Sequence, residues 1–130
     1  MKEINELLDL MAALRDPRSG CPWDLKQNFK SIAPYTIEEA YEVADAIERG
    51  VAPDIKQELG DLLFQVVFHS RIAEELGLFD FKDVTKSVTN KMIQRHPHVF
   101  GNEEMPASEY AQTKKWEADK AQGKESVLDG

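Results

Sequence analysis

The chain has 130 residues, the size of one domain, with 42% hydrophobic and 31% charged residues, which excludes a disordered or low-complexity polymer. Its 24 acidic and 16 basic residues give a net charge of −8, which argues against a non-specific hold on a nucleic-acid backbone. It leaves open a small phosphorylated ligand met through a cation. The single cysteine, Cys21, allows no intramolecular disulfide.

The first element is a helix over about residues 2–15, because Ile4, Leu7, Leu8, Met11 and Leu14 recur at helical spacing. Its beginning, MKEINELLDL, is charged and has no apolar signal core, and no later run is long enough to cross a bilayer. The expected setting is therefore the cytoplasm, with neither a membrane nor a nucleic-acid polymer as partner. Asp16-Pro17-Arg18-Ser19-Gly20 ends the helix. An irregular stretch to about Tyr35 follows and contains Cys21-Pro22-Trp23-Asp24, a length of loop that usually carries function.

Thr36 reads as the N-cap of a second helix, with Glu39 completing a capping box and Gly50 stopping it after Arg49. Pro53 and Asp54 begin a third helix, which runs to Leu76 and stops at Gly77. Asp80 caps a fourth that ends near Arg95, since Pro97 forbids continuation. Ser108 caps a last helix containing Trp116. No stretch alternates with period two, so the class is all-α, with four or five helices. The expected domain covers residues 1–123, and 124–130 read as a loose polar tail or the start of a linker.

The chemistry-bearing residues are carboxylates. Glu39 and Glu42 share a face of the second helix, and Glu58 and Asp61 share a face of the third. The short turn between these helices predicts an antiparallel hairpin in which the two pairs face each other. On the second helix taken alone, a solvated acidic face is the normal explanation of the pattern. The third helix is apolar around almost its whole circumference, with Glu58, Asp61 and Gln65 as a narrow polar stripe, so its carboxylates need a partner. A Lys or Arg could serve. A metal is favoured, because a second pair of carboxylates opposite would otherwise repel the first. None of the three histidines has a Glu three residues before it, and there is no Cys/His zinc set. Carboxylates alone suit Mg²⁺ or Mn²⁺.

Glu38-Glu39-x-x-Glu42, fifteen intervening residues, then Glu58-x-x-Asp61 resembles the EExxE…ExxD signature of the all-α nucleotide pyrophosphohydrolases. With Gly20–Asp24 (GCPWD), Ser31–Ile47, Glu58–His69 and Arg95–Gly101 (RHPHVFG), the chain is similar to MazG proteins over essentially its whole length. The resemblance implies a bundle of the all-α nucleoside triphosphate pyrophosphatase type, assembled as a homodimer. It implies Mg²⁺ held by Glu39, Glu42, Glu58 and Asp61, with Glu38 beside the site to orient or deprotonate water. It places Lys91, Arg95 and Lys120 against a triphosphate, and Trp23 and Trp116 are candidates for stacking on a base. His96, His98 and Phe100 read as a structural corner around Pro97.

The activity so implied is Mg²⁺-dependent hydrolysis of nucleoside triphosphates to monophosphate and pyrophosphate. The resemblance is to the first of two tandem domains. The alternative is therefore a non-catalytic nucleotide-binding and dimerisation module whose chemistry lies in a second domain.

Overall fold

A computed structural model of the chain describes residues 1–129, with side chains described through Ala121. The described residues form seven helices and no strand: α1 (Lys2–Leu14), α2 (Pro22–Leu25), α3 (Phe29–Arg49), α4 (Ala52–Glu75), α5 (Phe81–Arg95), α6 (Pro97–Phe100) and α7 (Glu109–Asp129). The all-helical expectation is met. α2 and α6 are single turns added to the five longer helices read from periodicity. The chain divides into two compact units, Met1–Val84 and the part from Thr85 onward.

In the first unit α3 begins eight residues earlier than the sequence suggests, with Asn28 rather than Thr36 as its N-cap. The capping box is made by Asn28 and Ser31, not by Thr36 and Glu39. The Ser31 backbone N–H donates to Asn28 Oδ1 at 2.9 Å, and the Asn28 N–H donates to Ser31 Oγ at 2.8 Å. Pro34 lies inside the helix. Near an N-terminus it removes one intrahelical bond, and burial of Ile32 in the core, with Phe29 packed against that core, holds the turn it weakens. Thr36 sits mid-helix instead, its hydroxyl 3.3 Å from Ile32 O.

α3 and α4 form the expected antiparallel hairpin. Gly50, at φ +72°, ends α3 in the left-handed conformation that glycine adopts without strain. Arg49 spans the turn, 3.0 Å from Asp45 and 2.7 Å from Asp54. The core is Met11 of α1, Ile32 of α3 and Val67, Phe68 and Ile72 of α4. All three α4 residues lie in its second half. In its first half, Leu59 is 49% and Leu63 37% exposed. The expectation of a helix buried on most sides therefore holds for the C-terminal half of α4 alone.

Arg15 ties the stretch after α1 to this core. Its guanidinium donates to both carboxylate oxygens of Glu75, at 2.6 and 3.1 Å, and to the carbonyls of Asp24 and Gln27, at 2.6 and 3.0 Å. The same cation lies 5.6 Å from the centre of the Phe68 ring.

In the second unit the Trp116 indole N–H of α7 donates to Arg95 O of α5 at 2.9 Å. Ser108 caps α7 as expected, accepting from the Ala111 N–H at 3.1 Å. The side chains after Ala121, and Gly130 altogether, lie outside the described residues, and the expected tail or linker over 124–130 falls on them.

Candidate metal centre and nucleotide pocket

The α3–α4 hairpin brings Glu39, Glu58 and Asp61 together: each offers a carboxylate oxygen, and these oxygens lie within 4.8 Å of one another. Glu39 and Glu58 are half-buried and Asp61 is exposed. Glu39 Oε2 is buried and has no hydrogen-bond partner. Its carboxyl is held above the ordinary carboxylate range, first by loss of solvent and then by the charges of Asp61 and Glu58. A hydrogen bond with Glu58 and the charge of Glu42 act in the same direction.

Glu42 is not within the group of three. It is exposed one turn further along α3, close enough for its charge to be felt. Glu38 is exposed beside Glu39 on the same helix. Among the described residues, no Lys, Arg or His forms an ion pair with Glu39, Glu58 or Asp61. Among the described residues, then, no cationic side chain is the partner that half-buried carboxylates require. Three acceptor groups with an orphaned buried oxygen fit a divalent, oxygen-preferring cation.

The second unit carries its own concavity. Arg95 and His96 of α5 and its C-terminal edge, with Trp116, Glu117 and Lys120 of α7, line a pocket of about 270 Å³. Three of the residues expected at a triphosphate or base, Arg95, Trp116 and Lys120, are thus brought together. Lys91 is exposed and does not line this pocket. His96, read from the sequence as a corner residue, also belongs to the wall, its ring 5.0 Å from that of Trp116. Trp23, in the first unit, is 49% exposed and meets Tyr35 edge-on at 5.8 Å.

The sequence assigns no functional role to Thr36, Gln65 or His69, which cluster on the α3–α4 seam. Gln65 was visible as part of the polar stripe, four residues after Asp61. Thr36 was hidden by its misreading as a cap.

Residues 27–100 match the family model described as MazG nucleotide pyrophosphohydrolase domain. The chain belongs to this family. Over 102 residues, 78% of its length, it is 55% identical to a nucleoside triphosphate pyrophosphohydrolase of Escherichia coli K12, covering 39% of that protein. Over 121 residues, 93% of its length, it is 49% identical to a nucleoside triphosphate pyrophosphohydrolase/pyrophosphatase MazG of Thermotoga maritima, covering 45%. The chain thus spans under half the length of these curated relatives. A crystal structure of a mazG-related protein from Thermotoga maritima superposes with a TM-score of 0.68 at 24% identity, over 90% of this chain and 98% of that one, and shares the fold. The MazG match contains all five acidic residues of the signature, and Trp23, Trp116 and Lys120 lie outside it.

Proposed function

We propose that this MazG domain hydrolyses nucleoside triphosphates between the α- and β-phosphates, releasing a nucleoside monophosphate and pyrophosphate. The observation that carries the reading is the buried, unpartnered oxygen of Glu39 between Glu58 and Asp61. Glu39, Glu58 and Asp61, with Glu42 at the rim, would hold Mg²⁺ or Mn²⁺. Bound there, the cation supplies charge neutralisation at the phosphates and lowers the pKa of water.

The remaining work falls to side chains. Water adds to the α-phosphorus, the bond to the bridging oxygen breaks, and pyrophosphate departs with that oxygen. Glu38, exposed and next to Glu39 in sequence, would orient the water and accept its proton. Within the second unit, the pocket of Arg95, Lys120 and Trp116 offers positive charge for phosphate oxygens and a face for a base, as the family resemblance implies. Ile37 and Tyr41 of α3 and Leu59 and Leu63 of α4 leave apolar surface open, which supports a homodimer.

The test is pyrophosphate release from a panel of nucleoside triphosphates in Mg²⁺ and in EDTA. Release that requires the metal is expected. Folded protein that binds nucleotides without releasing pyrophosphate would replace this reading with a non-catalytic binding module.

A further inference from the structure

One turn beyond the carboxylates, the α3–α4 seam carries a neutral polar group. Thr36 stands three residues before Glu39, and Gln65 four residues after Asp61, so each shares a helix face with its carboxylate. Thr36 Oγ1 is 2.9 Å from His69 Nε2 and 3.3 Å from Gln65 Oε1. The Phe29 ring flanks His69 at 5.9 Å.

Hydrogen-bond capacity gives this group a direction. Gln65 Oε1 can only accept, and the Thr36 hydroxyl has one proton, which it shares between Gln65 Oε1 and Ile32 O, both at 3.3 Å. With the proton so used, the hydroxyl is free to accept from His69 in the tautomer whose Nε2 carries the imidazole proton. Burial, which lowers the His69 pKa, keeps the ring neutral. In that tautomer the bonds run from His69 to Thr36 to Gln65 Oε1, which agrees with the way the amide faces. Gln65 Nε2 has two N–H donors and no partner among the described residues, Asp61 included. With its oxygen end on Thr36, the amide has its donors left for an oxygen acceptor, and Gln65 shares a face of α4 with Asp61.

We propose that Gln65 is a nucleotide-binding residue. Its amide N–H groups donate to a phosphate or sugar oxygen of the nucleoside triphosphate beside the carboxylates. Thr36 and His69 are positioning residues that keep the amide from turning over. The inference rests on the pyrophosphohydrolase reading and adds a specific contact to it.

The experiment measures three quantities on the full chain and its variants. These are affinity for an α,β-methylene nucleoside triphosphate in Mg²⁺, kcat and KM for the parent nucleotide, and Tm in EDTA. Gln65→Met should weaken the analogue about tenfold, the loss of one hydrogen bond, while leaving the metal-free Tm and the Tm rise with Mg²⁺ alone unchanged. Thr36→Val should lose several-fold, and Thr36→Ser should recover it. Thr36→Val/Gln65→Met should be no weaker than Gln65→Met, because both act through one amide. If a 2′-deoxy analogue is as sensitive to Gln65→Met as the ribo form, the acceptor is a phosphate or 3′ oxygen. If the sensitivity vanishes, it is the 2′-hydroxyl.

Wild-type turnover with unchanged analogue affinity in Gln65→Met overturns this inference alone. So do losses that add independently, which mark a merely structural seam. A wild-type chain that neither binds the analogue nor releases pyrophosphate overturns the reading beneath it.

Discussion

At the scale of single residues, the metal-free centre works against the fold. Glu39 has a folded pKa above its unfolded value of about 4.5, so its stabilising share is complete below that value and is lost as pH rises through the folded pKa. Near neutrality the ionised group is a liability unless a cation is bound. Glu39→Gln should therefore raise Tm in EDTA at pH 7 by a few degrees, erase the Tm rise on adding Mg²⁺, and abolish pyrophosphate release. A variant less stable than wild type in EDTA would show that the carboxylate has a stabilising partner. Asp61→Asn should likewise lose turnover and keep its helical signal.

His69 has the opposite sign. Its folded pKa lies below the unfolded 6.5, so its contribution is complete above about pH 6.5 and is lost as pH falls toward the folded value. Wild type should lose stability between pH 7.5 and 5.5 relative to His69→Gln, whose amide does not titrate. Parallel Tm curves for the two proteins across that window would exclude it.

These residues were unequally legible in the sequence. Glu39, Glu58 and Asp61 could be paired because helical spacing and a short turn fix their faces. Glu42 shares that spacing yet stands outside the close group, because a face one turn long is wider than a coordination sphere. His69 gave no periodic signal: it bonds Thr36 across the seam, and contacts between helices leave no spacing to read.

At the scale of elements, the same contrast explains the stretch after α1. Asp16–Gly20 is punctuated as a turn, but the force that shapes it is Arg15, which binds Glu75 sixty residues away and two backbone carbonyls. Arg15→Leu strands a carboxylate and two carbonyls, and should cost about 2–4 kcal/mol, less than a fully buried pair because Glu75 is partly exposed. Urea unfolding at pH 7 reads that difference directly. Gly20 belongs to the same turn. A Cβ there would collide with the carbonyl oxygens of Leu14 and Asp16, so Gly20→Ala should be destabilising as well. The start of α3 was misplaced for a local reason: the box made by Asn28 and Ser31 lacks the Glu or Gln that marks the motif, whereas Thr36 and Glu39 imitate it in mid-helix.

At the scale of the whole molecule, the open question is what covers the first half of the hairpin. The core residues of α4 all lie in its C-terminal half, while apolar side chains of its first half stay exposed. Tyr41 at 73% and Ile37 at 60% exposure stand one turn apart on α3, and Leu59 and Leu63 one turn apart on α4. Each such side chain gains about 1.5–3 kcal/mol on full burial, so leaving four in water is costly for a chain that also carries like charges on the same two helices. A second copy covering this surface would bury the apolar residues and flank the carboxylates. Sedimentation at micromolar concentration should therefore find a dimer or larger closed assembly. Leu63→Lys, which alters no acidic residue, should raise the dissociation constant at least tenfold. If wild type sediments as a monomer, the exposed faces are not an interface between copies, and turnover measured under the same conditions would show whether one chain suffices for the site.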